Sequence, residues 1–156
     1  MLWRSGVALA RGLDGMALRG KRVVELGCGL AVPSIAAARA GAAGLATDSC
    51  AEALTLVARN AQANGVRVET LAVDWKEPEE LVRRGPFDLV LAADVLYERA
   101  SVAPLLALLP RLAPEVWLAD PGRPDALPFL EQAVRRWSVQ TEARGVVSIH
   151  RLGTSE

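Results

Sequence analysis

The chain has 156 residues, 51% of them hydrophobic and 23% charged, and its 18 basic and 18 acidic side chains balance to a net charge of zero. That length makes a single domain, residues 1–156, with enough chain to bury a core. The even balance, with no basic stripe, argues against nucleic acid or an anionic membrane as partner, and two cysteines with one histidine leave neither a disulfide framework nor a metal site.

No apolar run escapes interruption by charge for long enough to span a bilayer, and MLWRSG lacks the layout of a signal peptide. A reduced cytoplasm is therefore the expected location. Leu2–Leu13 has apolar residues near helical spacing, which predicts a leading helix within residues 1–15, ahead of an α/β core over 21–152. Trp3, at the start of that helix, reads as a staple onto a sheet.

The core opens with Val23–Leu26, a short apolar run with a β-branched pair, read as a buried strand. Gly27-Cys28-Gly29 is a tight turn. Pro33 stands where a helix begins, and Ser34–Ala40 is rich in alanine. A second strand, Gly44–Thr47, ends on Asp48. Strand, glycine turn, helix, strand and acid make the nucleotide-side half of a doubly wound sheet. Glycines at a strand tip let a ligand touch the backbone, because no Cβ intervenes. An acid about 20 positions on accepts hydrogen bonds from two ribose hydroxyls. A dinucleotide site wants a third glycine where Val32 stands, and Glu25 would repel a pyrophosphate. A ligand with a ribose, no phosphate and positive charge fits better. S-adenosylmethionine is such a ligand.

After Asp48, Ser49–Asn64 reads as a helix with Ala51, Leu54, Val57, Ala58 and Ala61 inward, closed by Asn64-Gly65. Val66–Val73 is the third strand, ending on Asp74-Trp75. At a strand tip these two suit an adenine, the carboxylate accepting from the exocyclic amine and the ring stacking; alone, they equally describe a turn-initiating Asp and a half-buried Trp. Lys76–Arg84 is a charged, solvated helix broken by Gly85-Pro86. Phe87–Leu96 is nearly all apolar, as a central parallel strand buried on both faces requires. It leads into Asp94-Val95-Leu96-Tyr97. Ala100–Leu112 is a helix with Val102, Leu105, Leu106, Leu108 and Leu109 inward, and Pro110 and Pro114 bound its end. Glu115–Ala119 is a fifth strand, followed by the loop Asp120-Pro121-Gly122-Arg123-Pro124. Leu127–Arg136 is a last helix. Ser138–Ala143 and Val146–Leu152 form an antiparallel pair at one edge, with His150 as an ordinary edge-strand residue. The expected fold is thus α/β, a Rossmann-like, doubly wound, seven-stranded sheet, mostly parallel with a C-terminal antiparallel hairpin.

The stretch ELGCGLAVPSIAAARAGA resembles motif I of the seven-stranded, S-adenosylmethionine-dependent methyltransferases. W-x-S-G-x-x-L-A from Trp3, E-L-G-x-G from Glu25, T-D at Asp48, D-W at Asp74 and A-D-x-x-Y from Ala93 together resemble their protein-lysine methyltransferase group. D-P-G-R-P resembles, more narrowly, the enzymes that methylate lysines of the electron-transfer-flavoprotein β subunit. The resemblance implies that Trp3, Glu25, Gly27, Cys28, Gly29, Asp48, Ser49, Asp74, Trp75 and Ala93 hold S-adenosylmethionine. It implies that Asp94 and Tyr97 face the methyl group and the acceptor amine. On the 120–124 loop, Asp120 and Arg123 would position a protein substrate, Arg123 holding an acidic patch or a carbonyl. The chain departs from the pattern at Cys28 and Ser49, and family members carry a longer stretch before the tryptophan. The rival readings are methylation of another protein or a small amine, a donor-binding domain without turnover, and a nicotinamide oxidoreductase. Val32, the acids flanking the turn and the final hairpin weigh against the last.

Overall fold

The computed structural model describes residues 2–154, with side chains from Arg4 onward. Helix α1 (Leu2–Gly12) leads into strand β1 (Arg22–Leu26), helix α2 (Val32–Arg39), strand β2 (Ala43–Asp48), helix α3 (Ala51–Ala63) and strand β3 (Glu69–Ala72). Then come α4 (Glu79–Arg84), β4 (Leu89–Ala93), a 3₁₀ turn (Arg99–Ser101), α5 (Val102–Leu112), β5 (Glu115–Asp120), α6 (Ala126–Ala133), β6 (Trp137–Arg144) and β7 (Val147–Thr154). The seven strands form one sheet in the order β3-β2-β1-β4-β5-β7-β6. The first five are mutually parallel; β7 runs antiparallel to both β5 and β6. This is the expected doubly wound sheet with a C-terminal antiparallel hairpin.

The burial of β4 shows why the sheet has two covered faces. Leu89, Leu91 and Ala93 join Leu9, Leu13 and Ile149 beneath α1 and α2, whereas Val90 and Ala92 join Leu81, Leu105 and Phe129 beneath α4, α5 and α6. A third cluster seats Leu54 and Val57 of α3 against Ala46 and Ile35. An unbroken apolar strand can satisfy both faces only when helices cover both. Chain order runs outward from the centre in both directions, so β1 and β4 are neighbours and their connections leave to opposite sides. A crevice opens where such connections diverge, beyond the carboxyl ends of the strands. Among the described residues no helix is long and apolar enough to cross a membrane.

Several elements differ from their sequence expectation. The third strand is four residues long instead of eight, because it pairs with β2 only over Glu69–Ala72, while Val66 N–H closes back on the Ala61 carbonyl. Ala51 and Ala58 are exposed, and α3 buries only Leu54, Val57 and Ala61. The charged helix is shorter than expected and is not wholly solvated: Leu81 is fully buried in the core. Pro110 lies inside α5, which continues to Leu112; burial of Leu108, Leu109 and Leu112 outweighs the one backbone hydrogen bond that proline forfeits. His150 is not on an edge, since β7 is inserted between β5 and β6. It is buried, Thr141 Oγ1 lies 2.8 Å from its Nδ1, and burial lowers its pKa against the opposing pull of Asp120.

Candidate active site

The crevice is built from strand tips. At the end of β1, Glu25 is buried, and its Oε1 accepts both the backbone N–H of Ser34 (3.0 Å) and the Ser34 hydroxyl (2.7 Å). The carboxyl thereby caps the start of α2, whose own N-cap residue, Ala31, offers no side-chain acceptor. Oε1 alone does this; Oε2 remains for another partner. Glu25, with Gly6, Ala31, Pro33 and Ala93, lines a small apolar hollow of about 200 Å³ on one side of the glycine turn.

Burial pushes the Glu25 carboxyl up to about 8, against the two Ser34 hydrogen bonds that favour its charged form and with some help from Asp48. The folded chain therefore holds a proton there that the unfolded chain has released. The contribution of Glu25 to stability falls as pH rises from 4.5 to about 8, by at most about 1.4 kcal/mol per pH unit, while the lowered pKa of His150 works in the opposite direction. Glu25→Gln keeps an oxygen acceptor for Ser34 and has no proton to lose. Thermal melts across that window should show the variant gaining on the wild type as pH rises, with the difference largest toward the upper end. Parallel curves would rule out a protonated Glu25.

Gly27 and Gly29 both have positive φ, +59° and +50°. The turn is tied to β2 at two points: Cys28 N–H donates to the Thr47 carbonyl (2.9 Å) and Gly29 N–H donates to Asp48 Oδ2 (3.0 Å). Asp48 Oδ1 accepts from Cys50 N–H at 2.9 Å, which opens α3. Cys28 sits 6% exposed between the glycines, and burial, then Glu25 and Asp48, push its thiol up, so it is a neutral packing residue.

On the other side of the turn lies a cavity of about 690 Å³. Gly27, Gly29, Asp48, Ser49, Asp74, Trp75, Asp94, Tyr97 and Arg123 all line it. Trp75 is half-buried with its ring edge 3.6 Å from where a Cβ on Gly27 would lie. Asp74 is exposed and accepts from Lys76 N–H (2.9 Å). Tyr97 is 62% exposed at the rim. Ala93 is buried and belongs to the smaller hollow.

Asp94 is the strained residue of the site. It has φ +51°, a left-handed conformation unusual outside glycine and tolerated best by Asn and Asp. Its N–H donates to the Ala119 carbonyl (2.8 Å), and both carboxylate oxygens accept from Arg123, Nε to Oδ1 and Nη2 to Oδ2, each at 2.8 Å. Arg123, expected to reach out toward a substrate, thus points back to Asp94, which holds its proton more tightly still. Asp120 is buried, and its Oδ2 accepts the N–H groups of Gly122 (2.8 Å) and Arg123 (2.9 Å), fixing the loop that delivers the arginine.

The structure therefore gathers twelve of the expected residues from Glu25 to Arg123 around the glycine turn, and puts Asp120 behind them. The side chain of Trp3 lies outside the described residues. Sequence reasoning missed three partners: Ser34 on Glu25, the left-handed Ala31 (φ +58°) at the start of α2, and the Asp94–Arg123 pair. The first could have been read from the position of a serine one residue after a first-turn proline. The pair, 29 positions apart, has no local signal. Among the described residues no group of three His, Cys, Asp or Glu side chains could hold a metal ion.

A family profile described as lysine methyltransferase matches residues 1–117. The chain is similar to Protein N-lysine methyltransferase METTL21A of Danio rerio, 32% identical over 120 residues that make up 72% of this chain and 55% of that protein. It is also similar to the Ribosomal protein L11 methyltransferase of Erwinia tasmaniensis, 33% identical over 64% of this chain and 33% of that protein. It therefore spans about half of the one relative and a third of the other. The fold matches the solved structure of magnesium protoporphyrin IX methyltransferase from Synechocystis PCC 6803, crystallised with bound SAH. That match has a TM-score of 0.76 at 19% identity and covers 97% of this chain and 83% of that one.

Proposed function

The chain belongs to the lysine methyltransferase family, and on that premise we propose that it transfers a methyl group from S-adenosylmethionine to the side-chain amine of a protein lysine. The observation that carries this reading is the convergence of the glycine turn, Asp48, Asp74-Trp75 and Asp94 on one cavity.

The residues fit that donor. Asp48 sits where ribose hydroxyls can share its oxygens, Asp74 and Trp75 where an adenine can be bonded and stacked, and Gly27 leaves room for the link between them. Glu25 Oε2 is free for an ammonium, and a cation there favours the ionised carboxyl. Ser49 lines the edge of the cleft, and Cys28 shapes the turn beside it. When bound, S-adenosylmethionine supplies an electrophilic methyl on a sulfonium. What remains for the chain is placement, which can lower a barrier by roughly 7–11 kcal/mol.

A free lysine holds its proton to a pKa of about 10.4, so the amine must first lose that proton to solvent, a loss that desolvation favours. Its lone pair can then attack the methyl and release S-adenosylhomocysteine. Asp94 orients the amine: Arg123 uses one lone pair on each carboxylate oxygen and leaves the others for amine N–H groups. Tyr97, at the rim, closes the channel and accepts a further hydrogen bond.

The acceptor supported by D-P-G-R-P is the β subunit of electron-transfer flavoprotein. A second reading, a ribosomal protein, is favoured by the likeness to the L11 methyltransferase. Incubating the chain with S-adenosylmethionine and each purified protein, then mapping modified residues by mass spectrometry, decides between them. The expected product is methylated lysine in the flavoprotein β subunit. Methylated lysine in L11 alone would replace the acceptor. No methylated lysine in either, or in a total extract, would overturn the proposed activity.

A further inference from the structure

The Asp94–Arg123 pair leaves half of the guanidinium unused. Asp94 occupies the edge formed by Nε and Nη2, and the opposite edge, Nη1 with the second N–H of Nη2, has no partner among the described residues. Arg123 and Asp94 both line the cavity, the arginine side chain 34% exposed and that of Asp94 only 1%. The arginine is held at both ends, by Asp94 at its tip and by Asp120 at its backbone. An acceptor entering the cavity therefore meets a rigid, forked donor before it meets the carboxylate.

Charge decides what that donor takes. Asp94 matches the arginine's charge. Asp120 keeps a buried Oδ1 with no partner, and Glu98 lines the same cavity. A second carboxylate on the free edge would be repelled by these acids, whereas a neutral carbonyl gains a charge-assisted hydrogen bond at no such cost. The same acids attract an amine. We propose that the outer edge of Arg123 binds a main-chain carbonyl of the acceptor polypeptide, fixing its register so that the lysine amine arrives at Asp94. Arg123 is then the residue that distinguishes a lysine within a polypeptide from a plain alkylamine. This rests on the lysine-methylating reading of the site.

The test is an NMR titration with two probes, Nα-acetyl-lysine-N-methylamide and n-butylamine, which share an amine and differ in their carbonyls. Both are titrated with and without S-adenosylhomocysteine. The unsubstituted chain should bind the amide probe about ten- to a hundredfold tighter. In Arg123→Lys, which keeps a cation for Asp94 but has no second edge, and in Arg123→Gln, that ratio should fall to about threefold or less. Equal binding of the two probes to the unsubstituted chain would overturn the proposal, as would a ratio that survives both substitutions. Failure of S-adenosylhomocysteine itself to bind would count against the methyltransferase reading and is read separately, from its own shifts.

Discussion

Asp94→Asn should lower methyl transfer by about a hundredfold or more, the scale on which a single preorganised polar group acts in an active site, while donor affinity changes by only a few-fold. Asparagine is the informative substitution because it tolerates the left-handed backbone at this position (φ +51°). Alanine would mix loss of the carboxylate with backbone strain of about 1–3 kcal/mol. The Asn amide has one acceptor where Asp94 has two, so its NH₂ would face an Arg123 donor and the fork would open. Asp48 and Asp74, proposed to hold the donor, accept from the backbone N–H groups of Cys50 and Lys76 and have no hydrogen bond to this pair. Steady-state rates alongside calorimetric affinity for S-adenosylhomocysteine separate the two effects. Unchanged turnover would remove Asp94 from the mechanism; a matching collapse in donor affinity would make it part of the donor site instead.

Gly27→Ala should weaken donor binding by at least about tenfold and destabilise the fold by about 1–3 kcal/mol, the cost of combining left-handed strain with overpacking. The new methyl would lie 3.1 Å from Val95 Cγ1 and 3.6 Å from Trp75 Cζ2, on the floor of the cavity. Gly29 provides the control. It has nearly the same φ, but a Cβ there meets nothing within 4 Å, so Gly29→Ala carries strain without a clash. Chemical denaturation should therefore rank Gly27→Ala below Gly29→Ala in stability. Equal costs would show that conformation alone, and not the approach of Trp75 and Val95, makes glycine necessary at position 27.

Much of this arrangement is legible in the sequence because each strand of a parallel sheet ends in the crevice. Glu25, Asp48, Asp74 and Asp94 each follow a short apolar run, so finding the run locates the side chain. Arg144-Gly145 between two strands announces the hairpin. What the sequence conceals are contacts made across space. Leu81 looks solvated within KEPEELVRR, because two adjacent apolar positions in a charged helix give no periodicity, yet it is fully buried in the cluster that includes Val90 and Ala92 of β4. His150 looks like an edge residue, because a hairpin reveals which strands pair and not which of them faces β5. Arg123 looks free, because nothing near it in sequence hints at Asp94, and this changes its proposed role from a reaching side chain to a fixed one. The helix expected over 100–112 does end at Leu112, with Pro110 inside its last turn, where three buried leucines hold it.

The most direct measurement of the central claim is a calorimetric titration of the purified chain with S-adenosylhomocysteine, repeated with NAD. One site per chain for S-adenosylhomocysteine, lost in Asp48→Ala, with no heat from NAD, is the expected result: Asp48 then bonds a ribose beside a turn too crowded and too acidic for a pyrophosphate. Binding of NAD in preference to S-adenosylhomocysteine, or S-adenosylhomocysteine binding untouched by Asp48→Ala, would contradict the site described.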